Sequence, residues 1–263
     1  MKPLKFDSEL LTKRLPSGID VETTLANFAI VTYFVEKSAL RPHVHERYEL
    51  DCVTAPDGTQ KALISVVPFL DRDFRFICCP WPRFAFGQTN YRAYVTDSET
   101  GEHLAWFFGT SLDSWSVNIP HYLWKLPWHR GRIRFDTQYD QEASRYTRYR
   151  METQSKWAPA ELELKDTGLP PQELAGFEDL ETGLVLITHP LRGVFYRRDG
   201  ELGSYSIWHD RIQVTEAKIT RASFPLLEKL ELVPEGDTAA IHSVLIQPEV
   251  DFTIYLPPAV MRQ

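Results

Sequence analysis

Thr89-Asn90-Tyr91-Arg92-Ala93-Tyr94-Val95-Thr96 changes character from one residue to the next, and the fold reads outward from it. In an extended chain successive side chains point to opposite faces, so Asn90, Arg92 and Tyr94 share one face while Thr89, Tyr91, Ala93 and Val95 share the other. Rings and β-branched side chains sit well on such a pleated surface. The same composition recurs, punctuated by Gly and Pro, at residues 26–33, 62–68, 74–79, 104–111, 131–138, 144–154, 184–188, 194–196, 204–208, 212–221 and 243–249, each predicted as a strand. The chain is β-dominated.

Helix signals are few. Residues 35–42 read as a helix ending near Pro42. Residues 114–124 read as another, capped by Asp113-Ser114 and kinked at Pro120. A third is expected in 170–182, where Pro170 and Pro171 stand at the start and Phe177, Leu180 and Leu184 fall at helical spacing. Residues 165–176 hold Gly168, Pro170, Pro171 and Gly176 among polar side chains and form a candidate internal seam. The strand-rich parts on either side are expected to complete one sheet, because each alone would leave edges unpaired.

The 263 residues are 43% hydrophobic, 25% charged and 13% aromatic, which excludes a disordered, collagen-like or coiled-coil chain. Seven Trp, eleven Tyr and fifteen Phe against three Met point to rigid, ring-lined interior surface, either a thick core or a pocket wall. The formal net charge of −7 offers no global attraction to phosphate backbones, so a nucleic-acid partner is not expected. No apolar run approaches the ~20 residues of a spanning helix, and residues 1–7 lack the apolar core of a secretory signal. Three cysteines, two of them adjacent as Cys78-Cys79, do not form a disulfide framework. A cytoplasmic protein without a membrane partner is expected.

Two motifs invite a chemical reading and are assigned plainer ones. His43-Val44-His45 with Glu49 has metal-ligand spacing, but it follows the predicted helix and reads as a solvated loop, so no metal is expected. Arg130, Arg132 and Arg134 alternate with Ile133 and Phe135, which places the three cations on one solvated, edge-protecting strand face. Neither a phosphate-cradling Gly-rich loop nor a Gly-x-Ser-x-Gly elbow occurs, and no cofactor is expected.

Val66-Val67-Pro68-Phe69, Asn90-x-Arg92-x-Tyr94-Val95, Trp106-Phe107-Phe108 with Leu112-Asp113, and Leu126-Pro127-Trp128-His129 together resemble the YqjF-like family of bacterial proteins, within the acetoacetate decarboxylase-like superfamily. Leu186-Ile187-Thr188-His189-Pro190-Leu191, Phe195-Tyr196-Arg197 and Ser206-Ile207-Trp208-His209 continue the likeness. The resemblance implies a single α+β domain over 1–263: an antiparallel sheet curled into a cone or barrel around a cavity, with a few short helices. It also implies a homodimer.

Activity does not transfer with the fold. The decarboxylase's Schiff-base lysine pair would fall on Trp128 and His129, and neither side chain can form an imine. Lys125 lies three residues earlier and is expected to be a solvated helix cap. At Pro120-His121 the chain departs from the family's usual small residue and Arg. The expected pocket is therefore walled by Asn90, Arg92, Tyr94, Trp106, Phe108 and Trp128, with Arg92 fixing a carboxylate or enolate and His129 as a candidate proton-transfer catalyst. Three outcomes remain open: chemistry on a small oxo or carboxylic acid, binding of such a molecule without chemistry, or a filled barrel.

Overall fold

Period-two segments become thirteen hydrogen-bonded strands in the computed structural model, which describes residues 4–114 and 122–261. They are β1 (Val21–Glu36), β2 (Tyr48–Leu50), β3 (Cys52–Thr54), β4 (Gln60–Phe76), β5 (Cys79–Asp97), β6 (His103–Leu112), β7 (Trp128–Asp140), β8 (Arg145–Ser155), β9 (Ala160–Asp166), β10 (Arg192–Tyr196), β11 (Leu202–His209), β12 (Thr215–Ser223) and β13 (Ile241–Met261). The helices are short: α1 (Ser8–Leu11), α2 (Lys37–Leu40), a 3-10 turn at Arg41–His43, α3 (Leu180–Thr188) and α4 (Pro225–Lys229).

One set of strands closes on itself in the order β5-β6-β10-β11-β13-β1-β4 and back to β5. Closure leaves this ring without free edges. A second path runs from β6 through β7, β8, β9 and β12 back to β13. Strands on both sides of residues 165–176 thus share one sheet. That sheet is mixed: β6 runs parallel to both β10 and β7, while the other pairings are antiparallel.

Strands β1, β4 and β5 form the wall common to both paths, and they are apolar on both faces for that reason. Ala29, Val31, Ile64, Val66, Tyr91 and Ala93 face a core completed by Tyr149, Met151 and Leu162 of β8 and β9. Leu25, Phe28, Ile30, Val67, Phe69 and Tyr94 face a second core, against which α3 packs Leu184, Leu186 and Ile187. The parity of β1 changes at Asn27, whose φ of 53° makes a bulge in the strand. Val21, Thr23 and Leu25 before it, and Phe28 after it, consequently share the inward face.

Several sequence expectations are corrected. Residues 34–36 continue β1, with Phe34 paired to Leu63 and Val35 to Ala62, so the helix predicted over 35–42 shrinks to Lys37–Leu40 and the turn after it. Residues 184–188, predicted as a strand, belong to α3, whose start lies well after Pro170. Asp179 caps it, its side chain accepting from the Thr182 N–H, and every residue from Thr182 to Thr188 is buried. A helix apolar all round carries no amphipathic stripe, so Val185, Ile187 and Thr188 imitate a strand. The strand β9 escapes prediction because Glu161, Glu163 and Lys165 dilute its buried Ala160, Leu162 and Leu164. Arg130, Arg132 and Arg134 are exposed as expected; β6 pairs with β7 only from Trp128 to Arg130 and β8 only from Gly131 to Asp140, so Arg132 and Arg134 lie where β7 is paired on one side among the described residues. Most of the helix predicted over 114–124, including Pro120-His121, lies outside the described residues.

Candidate functional site

Inside the closed ring is a cavity of about 260 Å³. Its wall is mainly phenyl and indole: Phe28, Phe69, Phe86, Phe107, Phe252 and Trp128 each contribute. On β5, Gln88, Asn90 and Arg92 face into it, two residues apart and therefore on one side of the strand. Helix α3 sits at the deep end, with Thr188 on the wall.

Arg92 carries the strongest charge in this apolar space. The residue is 8% exposed, and one Nη2–H donates to the Ile187 carbonyl at 2.8 Å. Tyr94 Oη donates to the same carbonyl at 3.1 Å and lies 2.7 Å from Ser65 Oγ. His103 Nε2 meets the Leu186 carbonyl at 3.1 Å. The last carbonyls of α3 have no intrahelical partner and carry the negative end of its dipole, so a cation is favoured there. A carbonyl does not neutralise a guanidinium, however. Among the described residues Arg92 forms no ion pair with any Asp or Glu, and its Nε is buried without a hydrogen-bond partner. Asn90, 9% exposed, likewise leaves Oδ1 unpartnered.

A second polar station lies on the same wall. Asp71 is fully buried; it accepts from Thr23 Oγ1 at 2.9 Å and from Gln88 Nε2 at 2.5 Å. Burial pushes its carboxyl up to about 7, against the lowering effect of those two hydrogen bonds. His209, also on the wall, is driven down to about 3 by burial, with the neighbouring His189 and Arg92 adding to the effect. It is a neutral ring at physiological pH. Its Nδ1 lies 2.8 Å from the Asp210 carbonyl, its ring stacks on Phe252, and it makes no hydrogen bond to Asp71.

Of the residues singled out from sequence, Asn90, Arg92 and Trp128 meet at the cavity. Tyr94 lies behind its floor, completely buried. Trp106 and Phe108 turn away: Trp106 packs on Tyr48 and Tyr196, and Phe108 on His43, in the core outside the ring. The register slips between Tyr91 and Arg92 where β5 pairs with β6, so Phe107 before the slip and Thr110 and Leu112 after it face inward. His129 follows Trp128 on the alternate side of β7 and stacks on Trp157, with centroids 4.2 Å apart and planes at 11°. It does not line the cavity. Lys125 is held by its backbone, φ 56° and a carbonyl accepting from Arg198 N–H, and no described lysine faces the space. His43 and His45 are engaged elsewhere, with the Leu230 carbonyl and the Arg47 N–H. Sequence reading missed Asp71, Gln88 and His209; the inward parity shared by Gln88, Asn90 and Arg92 was the available signal for the second.

No helix of the described residues is long and apolar enough to cross a membrane. A search of curated proteins returns no match. Among solved structures, the chain is similar to acetoacetate decarboxylase from Legionella pneumophila, with 13% identity, 95% of this chain and 90% of that one covered, and a TM-score of 0.57. It is similar to an acetoacetate decarboxylase-like enzyme from Sphingomonas wittichii, with 13% identity, 96% and 97% coverage, and a TM-score of 0.59. The enduracididine biosynthesis enzyme MppR complexed with pyruvate shows 11% identity, 99% and 98% coverage, and a TM-score of 0.56. Such likeness concerns the fold. The model of one family, DUF2071, described as an uncharacterized conserved protein, matches residues 22–251. The chain belongs to the DUF2071 family and has the acetoacetate decarboxylase-like fold.

Proposed function

We propose that this protein binds a small carboxylic acid with an apolar, ring-sized body, the carboxylate against Arg92 and the body along the phenyl wall. One observation carries it: a buried guanidinium without a carboxylate partner opens onto an otherwise apolar cavity. An unpaired buried charge is costly, and an anionic ligand compensates it with charge-assisted hydrogen bonds. Binding is favoured over catalysis because the perturbed titratable groups on the wall, Asp71, His209 and Tyr205, whose phenol burial pushes up, make no hydrogen bond to one another and His129 lies elsewhere. Imine chemistry has no lysine to start from among the described wall residues. The proposal places the protein in the cytoplasm, as a homodimer.

Thermal unfolding with 3-phenylpropanoate and its uncharged amide tests this. The acid is expected to stabilise the wild type and not Arg92→Met, and the amide to stabilise neither. An acid that leaves the wild type unchanged, or shifts both proteins equally, overturns the proposal.

A further inference from the structure

Arg92 accounts for a carboxylate; it leaves Asn90 unexplained. Asn90 is nine-tenths buried on the cavity wall, and its Oδ1 has no hydrogen-bond partner. A buried acceptor left unpaired is destabilising, and an apolar side chain of similar shape would avoid the cost. The neighbouring rungs of β5 are polar too. Gln88 donates its Nε2–H to buried Asp71. Arg92 Nε, on the other side of Asn90, is a donor without an acceptor. Unused donor and unused acceptor therefore stand one strand repeat apart, roughly 7 Å between Cα atoms, on one face.

Resting on the carboxylate assignment above, we infer that the ligand is a hydroxy acid: its carboxylate accepts from Arg92 while a hydroxyl on an adjacent carbon donates to Asn90 Oδ1. An oxo acid of the same skeleton has no proton to donate there. An unsubstituted acid would leave Oδ1 without a partner. The site thus ranks three acids that share a skeleton and a charge, with the hydroxy acid first. The apolar remainder lies along Phe69, Phe107 and Phe252, which contribute affinity without discriminating among the three.

Calorimetric titration of the full chain with 3-phenyllactate, phenylpyruvate and 3-phenylpropanoate tests the ranking. Phenyllactate is expected to bind about tenfold more tightly than 3-phenylpropanoate, the scale of one buried hydrogen bond. Phenylpyruvate is expected to bind no better than 3-phenylpropanoate. In Asn90→Leu, or in Asn90→Ala should the bulkier change impair folding, the preference should vanish while the affinity for 3-phenylpropanoate stays within about twofold. Equal or tighter binding of phenylpyruvate by the wild type overturns the inference, as does a hydroxyl preference that survives both substitutions. In either case an Arg92-dependent affinity for 3-phenylpropanoate leaves the carboxylate assignment standing. If none of the three acids binds, both readings fall together.

Discussion

The guanidinium of Arg92 and the carbonyl oxygen of Ile187 are 2.8 Å apart, joining β5 to the C-terminal end of α3 across 95 positions of sequence. That contact sets the floor of the cavity, yet it is not indispensable to the floor. The same carbonyl accepts from Tyr94 Oη, so it stays satisfied when Arg92 is removed. Arg92→Met is accordingly expected to leave the unfolding free energy of the ligand-free protein within about 1 kcal/mol of wild type, or to raise it, because an unpaired buried cation is replaced by an apolar chain. A residue kept mainly for structure would instead cost several kcal/mol on removal. Urea unfolding of the two ligand-free proteins distinguishes the cases.

Asn27 is the hinge of the wall. Its φ of 53° lets β1 change parity, and its side-chain Oδ1 accepts from Thr137 Oγ1 and Tyr146 Oη, both at 3.1 Å, while its carbonyl accepts from Tyr149 Oη at 2.8 Å. Asn27→Ala loses the side-chain acceptor, leaves two hydroxyls short of a partner and puts a Cβ-bearing residue without a local polar group in the left-handed region. A loss of about 2–4 kcal/mol is expected. Asn27→Gly relieves only the backbone and should recover about 1 kcal/mol of that. Equal stability of the two variants would show that the side-chain contacts dominate entirely.

How far the sequence discloses this arrangement depends on the length scale of the interaction. Period-two alternation is local, and it locates Asn90 and Arg92 on one face of their strand before any coordinates are known. It fails for Trp106 and Phe108, since the register slip that turns Phe107, Thr110 and Leu112 inward arises where β6 meets β5, and a single strand's pattern does not contain its partner. Asp71 escapes for a different reason. Its environment is assembled from Thr23 on β1 and Gln88 on β5, strands whose pairing with β4 only the closed ring defines. Residues 184–188 escape because a wholly buried helix and a buried strand share a composition.

Gly193 keeps the cavity open. A Cβ placed there would lie 2.7 Å from Phe107 Cε2, and Phe107 is on the wall. Gly193→Ala must therefore displace that ring or the strand that bears it, at about 1–3 kcal/mol. If the ring moves inward, affinity for 3-phenylpropanoate falls with stability. Unfolding and titration of the same preparation check this; a variant as stable as wild type would mean that β10 yields without strain.

Asp71 gives the protein a distinctive response to pH. Its native carboxyl titrates near 7, above the ordinary value of 3.8, because burial penalises the charged form. Between those values the native state holds a proton that the unfolded chain has released, so this group's contribution to stability falls as pH rises from about 4 to about 7 and is constant above. Three units correspond to roughly 4 kcal/mol as an upper limit. Asp71→Asn keeps an oxygen for the Thr23 hydroxyl, which donates to Oδ1, while Gln88, which donates to the other oxygen, can turn its own amide oxygen toward the new Nδ2–H; the variant carries no charge at any pH. The variant should match the wild type near pH 4 and exceed it by a margin that grows up to pH 7 and then levels off. Urea unfolding of both proteins at unit steps from pH 4 to 8 measures the margin, and a difference independent of pH would mean that the buried carboxyl is not the group that titrates.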